Sequence, residues 1–276
     1  MKNVFLLLFV VSIQFSVAQN KNELLFKIQY NPETKYEQTL EQSNHMELKY
    51  AGEPDFMQTL KDKGVQNPTI VDSHSVIESV MKTGKLSNKT NFPLTIEFIK
   101  TTNSDNKVQI PDGTIIYGKG TLNNLPVLDS ITSKGLSEEL KKTIMQTMQS
   151  FFTQLNIPER KVKVGEVFDL DTPLSIPLAG MQMDMTITTT YKLLSIKNNV
   201  GDFDVSQVYT MNTSATQFPM NATGTGKGKL LYDTINNFNL NFQIDMQMTA
   251  NMKFQKIELD LISKMGMHQS AKISKI

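Results

Sequence analysis

The sequence predicts an α+β fold that is mostly β, with a long curved antiparallel sheet packed on one long amphipathic helix and one short helix. Apolar and polar residues alternate with a period of two along most of the chain, which is typical of strands with one buried face. Two segments replace this alternation with helical spacing. The chain has no cysteine, so apolar packing must hold the sheet without disulfides.

Alternation in the first half predicts six strands and one short helix. Asn31-Pro32-Glu33 supplies a turn between the first two strands, and Gly64 ends the short helix. The predicted strands cover residues 24–30, 36–50, 70–82, 94–101, 113–122 and 127–132, and the helix covers 54–63.

A longer helix is predicted over residues 137–155, between the two halves. Ser137 is a good N-cap residue, Glu138 and Glu139 suit the first turn, and Pro158 lies just beyond the end. The apolar stripe at helical spacing consists of Leu136, Leu140, Ile144, Met148, Phe151, Phe152 and Leu155.

The second half again predicts strands, over residues 181–193, 203–211 and 240–254. The last of these would approach about 50 Å at roughly 3.3 Å per residue, so it must curl or bulge. The alternation changes phase at Ile257, which predicts a bulge or a turn near Gln255.

One short motif occurs twice. Residues 118–122 and 226–230 both read G-K-G-x-L. Two explanations remain open: coincidence, or a duplicated meander with pseudo-repeats at about 23–135 and 160–270 joined by helix 137–155, within one β-rich domain over 19–276. The motif is not a phosphate-binding loop, because Lys119 and Lys227 are each followed by glycine where Ser or Thr is needed.

The N-terminus has the three parts of a secretory signal peptide. Lys2 precedes an apolar run over residues 4–11, and Ser16-Val17-Ala18 is a small-x-small cleavage site before Gln19. We therefore expect a signal peptide over 1–18, cleavage between Ala18 and Gln19, and a mature protein that is periplasmic or extracellular. The apolar run is too short to span a bilayer, and no integral membrane segment is predicted. Without cysteine, a lipoprotein anchor is excluded.

Composition argues against several classes of partner. Lys2 is the only charged residue of the first eighteen, so its removal leaves 27 basic and 27 acidic residues and no field to attract nucleic acid. Arg160 is the sole arginine, so bidentate binding of phosphate is nearly excluded. No cofactor is predicted.

The polar residues do not predict a metal or catalytic site. His45 and Glu47 share one face of a strand, but His74 and His268 have no ligand spacing relative to them. Neither G-x-S-x-G nor H-E-x-x-H occurs, and no nucleophile is paired with a base. We therefore expect a protein that is not an enzyme.

Methionines are the candidate binding residues. The chain has sixteen, and methionine is a flexible, polarisable side chain that can line an adaptable apolar cleft. In one interpretation the clustered methionines bind an apolar small molecule or lipid. In the other they are the core beneath the helix, and the protein is an envelope or secreted scaffold whose protein partner is unknown. The residues concerned are Met181, Met183, Met185, Met211, Met246, Met248 and Met252.

The segment at residues 161–168, Lys-Val-Lys-Val-Gly-Glu-Val-Phe, resembles a K-V-G-[DE]-x-aromatic signature. This signature is similar to that of an uncharacterised family of exported Gram-negative bacterial proteins. Residues 191–196 and 223–229 also resemble the family, so the resemblance covers most of the mature chain. The usual tryptophan is Phe168 here, and the family implies no known active site. The predicted architecture is also similar to the periplasmic lipoprotein-carrier half-barrel, which implies a fold and not a transport function.

Overall fold

A computed structural model describes residues 22–104, 110–122, 124–154, 157–178, 181–212, 220–254 and 257–276. The predicted signal peptide with Ala18 and Gln19, and also Leu155 and Gln255, lie outside these residues. The elements in chain order are β1 (Glu23–Phe26), β2 (Thr34–Gly52), α1 (Pro54–Asp62), β3 (Thr69–Thr83), β4 (Asn91–Asn103), β5 (Ile115–Thr121), β6 (Asn124–Thr132), α2 (Glu138–Gln154), β7 (Arg160–Lys163), β8 (Val167–Leu178), β9 (Met181–Lys197), β10 (Val200–Asn212), β11 (Met220–Asp233), β12 (Phe238–Phe254) and β13 (Ile257–Lys275).

One antiparallel sheet of eleven strands dominates the structure, which confirms the prediction of a mostly β fold. The strand order is β6-β5-β4-β3-β2-β13-β12-β11-β10-β9-β8. Neighbouring strands follow one another in the chain everywhere except at the centre, where β2 pairs with β13. The first half of the chain therefore spreads from the centre to one edge, and the second half spreads to the other edge.

The first strand is shorter than the predicted range of 24–30, while the predicted turn before the second strand is present at residues 32–33. β1 ends at Phe26 and pairs with β7 in a separate two-stranded sheet, with Phe26 opposite Arg160. Between β1 and β2, the Gln29 N–H donates to the Asn237 carbonyl and the Glu33 N–H to the Gly84 carbonyl, and side chains bind other backbone groups. The Asn31 N–H donates to the Tyr36 hydroxyl at 2.7 Å, and the Thr34 N–H donates to the Thr83 hydroxyl at 2.9 Å.

The alternation of apolar and polar residues did not predict bounds for strands β7, β8 and β11. The alternation that begins at Ile257 corresponds to β13, which continues to Lys275. β8 carries Pro173 and Pro177, which an edge strand tolerates because half of its N–H groups need no partner. β12 and β13 pair antiparallel, with Phe254 opposite Ile257. The bulge or turn predicted near Gln255 itself lies outside the described residues.

Two clusters of buried side chains lie on the same face of the large sheet, which we call the inner face. In the first cluster, Phe26 packs against the rings of four other residues at centroid distances of 5.1–5.4 Å. The Tyr232 hydroxyl also donates to the Lys27 carbonyl at 2.8 Å, which attaches the chain after β1 to β11. The four rings around Phe26 are those of Phe168, Tyr191, Phe203 and Tyr232.

The second cluster lies under α2, in the first half of the sheet. The Ser137 Oγ accepts the Leu140 N–H at 3.3 Å, as an N-cap residue does. Gln149 attaches the helix to edge strand β6, because its Oε1 accepts the Leu128 N–H at 2.9 Å. The side chains of α2 that pack into this cluster are Ile144, Met145, Met148 and Phe152.

The segment between β7 and β8 forms a tight turn around Glu166. Gly165 has a φ of +88°, which glycine adopts without strain. The Glu166 carboxylate accepts the Lys163 N–H at 2.9 Å and the Arg160 Nη2 at 2.8 Å, and both contacts hold its pKa below the usual value. Arg160 also lies 4.2 Å from the ring centroid of buried Phe168. The signature residues therefore have a structural role in joining the small sheet to the large one.

Candidate functional site

The strand register assigns all seven predicted methionines to positions of the inner face. Met185 lies opposite Met211, and Met246 lies opposite Met265. Met181 and Met183 alternate with Met185 along β9, but their side chains lie outside the described residues. Met185 is buried, at 8% exposure, while the side chains of Met211, Met246, Met248 and Met252 are half-buried.

Among the methionines whose side chains are described, Met185, Met211, Met246, Met248 and Met252 do not belong to the cluster beneath α2. The methionines of the cluster under the helix are Met81, Met145 and Met148. Of the seven, Met246 packs at the border of the first cluster. The inner face near the other methionines therefore extends beyond both clusters, among the residues that the structure describes.

Residues at the inner face form cross-strand rows, which the register defines. The first inner row is Leu170, Thr189, Gln207, Gly226, Met246, Met265, Asn44 and Ser73. The second inner row is Thr172, Ile187, Tyr209, Gly224, Met248, Ser263, Met46 and Val71. The third inner row contains Met185, Met211, Ala222, Ala250, Leu261, Leu48 and Thr69.

Charged side chains are absent from these three rows. None of their residues is Asp, Glu, Lys, Arg or His. By contrast, a single cross-strand row of the opposite, outer face contains Asp169, Lys227, Asp245 and His74. Because a charge without a partner is costly to remove from water, the three inner rows favour an uncharged ligand over an ion.

Tyr209 crosses the inner face of β11 to reach β12. Gly224 and Gly226 have no side chains, and a Cβ atom on Gly224 would lie 3.2 Å from the Tyr209 ring. The Tyr209 hydroxyl therefore reaches the sulfur of Met246 at 2.6 Å. Glycine within a strand often indicates that a neighbouring group approaches the backbone closely, and here that group is the Tyr209 ring.

Three polar side chains on β9 and β10 form a chain of hydrogen bonds. The Tyr209 hydroxyl donates to Gln207 Oε1 at 2.5 Å, and Gln207 Nε2 donates to the hydroxyl of buried Thr189 at 3.1 Å. Burial raises the pKa of Tyr209 to about 12, so this residue is neutral at physiological pH. The chain of hydrogen bonds lies where the first cluster meets the half-buried methionines.

An open groove with a volume of about 880 Å³ is lined mostly by residues of the outer face. His45 Nδ1 lies 2.7 Å from Asp72 Oδ1 in this groove, and Gly266 forms part of its floor. Of the seven predicted methionines, only Met246 contributes to its lining. Five residues of the first inner row also line this groove, so it borders that row: Asn44, Ser73, Gly226, Met246 and Met265.

Within the described ranges, no group of three or more His, Asp or Glu side chains could hold a metal ion. His45 pairs with Asp72, and His74 lies 3.7 Å from Glu41. No helix in the described part of the chain is long and apolar enough to cross a membrane.

A second, smaller cleft of about 270 Å³ lies at the β8 edge of the sheet. It joins the start of the first two inner rows, at Leu170 and Thr172, to Ile157 and Pro158 on the segment that follows α2. The inner rows are therefore accessible from this edge.

A scan against protein-family models finds no match to the chain, and a search of the curated proteins finds none.

The sequence interpretation did not identify Thr189, Gln207 and Tyr209 as site residues. The signal for them was a polar side chain at an inward position of an otherwise apolar alternation, as at Thr189 between Ile187 and Tyr191. Their mutual contacts depend on the register between β9 and β10, which alternation does not give.

Proposed function

We propose that the chain is an exported, non-enzymatic protein that binds an apolar ligand or lipid on the three inner rows. The observation that carries this proposal is a half-buried, methionine-rich surface without charged side chains, beside but not beneath the core clusters. Methionine suits such a surface because its unbranched side chain adapts to the shape of a ligand.

The dimensions of the surface fit an elongated ligand. The first inner row crosses eight neighbouring strands, which corresponds to roughly 30 Å at about 4.8 Å between strands. The three rows are separated by two residues each along the strands, so together they are about 13 Å wide. A lipid chain or a molecule of similar length would be covered by such an area.

Catalysis is not part of the proposal. Tyr209 is the only ionisable residue in the three rows, and its raised pKa makes it a poor acid or base near neutral pH. On the strands that cross the three rows, His45, Asp72 and Asp245 occupy positions of the outer face.

Binding of Nile red, an uncharged fluorescent probe, to the delipidated mature protein tests the proposal. Met248→Glu introduces a charge into the second inner row, and Thr249→Glu introduces the same charge one residue later, on the exposed outer face. We expect binding by the wild type and by T249E, and an affinity at least about tenfold lower for M248E. Met248→Gln keeps the side-chain length without the charge and replaces M248E if that variant does not fold. Failure of the wild type to bind, or equal losses in both variants, would contradict the proposal.

A scaffold that acts through its surface is the second candidate. It is favoured by the outer groove, which offers exposed side chains of both charges, including Lys227, Asp245 and Lys264. Crosslinking in intact cells distinguishes the candidates. A protein partner that is lost on Lys264→Glu but kept in M248E would support the scaffold and not the ligand binder.

Export by the signal peptide, with cleavage after Ala18, is part of the same proposal. Mass spectrometry of the protein from the periplasm or the medium should give a mature N-terminus at Gln19. A cytoplasmic protein that retains Met1 would contradict export.

We also propose that the two halves arose by duplication. A short strand followed by five meander strands occurs twice, as β1–β6 and as β7–β12. The register supports equivalence of the G-K-G-x-L motifs. Thr83 is buried and lies in the same cross-strand row as Gly118, two strands away. Thr189 is buried and lies in the same cross-strand row as Gly226, also two strands away. Superposition of the two halves should align these pairs, and a best fit with another strand offset would contradict duplication.

A further inference from the structure

We infer that the ligand is an uncharged amphiphile whose hydroxyl or amide end binds Gln207 and Tyr209 in the first two inner rows. This inference rests on the proposed function and specifies the chemistry of its ligand. It starts from the position of the polar side chains on an otherwise apolar surface.

The hydrogen-bonded chain of Thr189, Gln207 and Tyr209 lies between two apolar regions. On one side is the first cluster, where Val205, two residues before Gln207, is buried at 3% exposure. On the other side are the half-buried side chains of the second and third rows, including Met211 and Met248. A ligand on the open side therefore meets polar groups at one end and methionines along the rest of its length.

These polar groups keep unused hydrogen-bonding capacity. The Gln207 amide donates one hydrogen to Thr189 and has a second hydrogen available. The Tyr209 hydroxyl donates its hydrogen and has lone pairs that can accept one. A ligand hydroxyl could accept from Gln207 and donate to Tyr209, and an amide could make the same two contacts.

Charge complementarity disfavours an ionised end. The three inner rows contain no cation to pair with a carboxylate or phosphate and no anion to pair with an amine. Both polar side chains are half-buried, so an ionised group beside them would lose part of its hydration without compensation. A monoacylglycerol or a fatty amide fits these conditions better than a fatty acid of equal length.

The experiment measures displacement of Nile red by a monoacylglycerol and by the fatty acid of the same chain length at pH 8. We expect the wild type to bind the monoacylglycerol at least about tenfold more tightly, as one or two buried hydrogen bonds and an avoided charge would give. Gln207→Leu should remove most of this difference, which is read as the ratio of the two affinities, each corrected for the variant's own affinity for Nile red. Gln247→Leu, the same substitution on the outer face, should leave both values unchanged.

The outcomes separate this inference from the proposed function. Equal or tighter binding of the fatty acid, or an unchanged preference in Q207L, would overturn the inference while Nile red binding still supports an apolar site. Loss of Nile red binding by the wild type would overturn both. Tyr209→Phe provides a second variant, and it should weaken the monoacylglycerol more than the fatty acid.

Discussion

The hydroxyl of Tyr209 on β10 lies 2.6 Å from the sulfur of Met246 on β12, although β11 separates the two strands. Gly224 and Gly226 make this contact possible because neither places a side chain between them. Three neighbouring strands are therefore connected by side chains as well as by their backbone ladder. The contact also fixes the position of the aromatic ring next to the proposed ligand surface.

Removing the Tyr209 hydroxyl should destabilise the protein moderately. Tyr209→Phe leaves Gln207 Oε1 without its donor, so we expect the free energy of unfolding to fall by about 1 kcal/mol. Urea denaturation followed by circular dichroism measures this change. Tyr117→Phe, at a residue that is 39% exposed, is the control and should have little effect. Equal effects of the two substitutions would contradict the structural role of the Tyr209 hydroxyl.

A side chain at Gly228 should be poorly tolerated. A Cβ atom there would clash with the backbone carbonyl of Gln243 on β12, which can move only if the strands separate. We expect Gly228→Ala to lower the free energy of unfolding by about 2 kcal/mol. At Gly266 the nearest atom is the Oγ of Ser43, which can rotate away, so G266A should cost less. A larger loss in G266A than in G228A would be inconsistent with the register of β11 and β12.

Phe26 should be the most sensitive residue of β1. Its ring packs among four others and is 1% exposed, so Phe26→Ala should cost about 4 kcal/mol. Hydrogen exchange should also become faster in β7, because β1 is its only strand partner among the described residues. Ile70→Ala serves as the control at a residue that is 54% exposed. Unchanged exchange in β7 would show that the small sheet does not depend on this packing.

Stability should fall at alkaline pH. Burial raises the pKa of Tyr191 and Tyr209 to about 12 and also raises those of Tyr30 and Tyr232. In the unfolded chain these groups ionise near pH 10, so the unfolded state loses protons first. Their stabilising contribution is therefore complete below pH 10 and is lost as the pH rises toward 12.

Urea titrations at pH 8, 10 and 11 measure this loss. The decrease between pH 10 and 11 should be smaller in Tyr191→Phe than in the wild type, since one titrating group is removed. A free energy of unfolding that stays constant to pH 11 would contradict the burial of these hydroxyls.

Local alternation predicts which residues form strands, but it does not predict their partners. The second strand and the strand over residues 70–82 could be found because inward and outward residues differ along each of them. β1 pairs with β7, and β2 pairs with β13. Both pairings join segments that are far apart in the chain, so no local sequence pattern predicts them. The turn predicted over residues 31–33 is present at 32–33, but the local turn signal does not reveal that β1 pairs with the distant β7.

The candidate site illustrates the same limit. That the seven methionines alternate with polar residues is visible in the sequence. Whether a helix covers them depends on where α2 packs, and the contacts of Gln149 with β6 hold it over the other half of the sheet. The chain of Thr189, Gln207 and Tyr209 could not be predicted, because it forms between two strands whose register is fixed by their whole length.

Pairing of β2 with β13 runs along both strands, from Thr34 opposite Lys275 to Gly52 opposite Ile257. Until β13 has formed, β2 and β12 are both open edges, and the two halves of the sheet are connected through side chains, such as Phe238 on β12 against Tyr36 on β2. We therefore expect folding to include the joining of distant parts of the chain, which is slow because such contacts are far apart in sequence. Loss of β13, which has nineteen residues, would therefore do more than shorten the protein. It would leave β2 and β12 as unpaired edge strands that can pair with other chains.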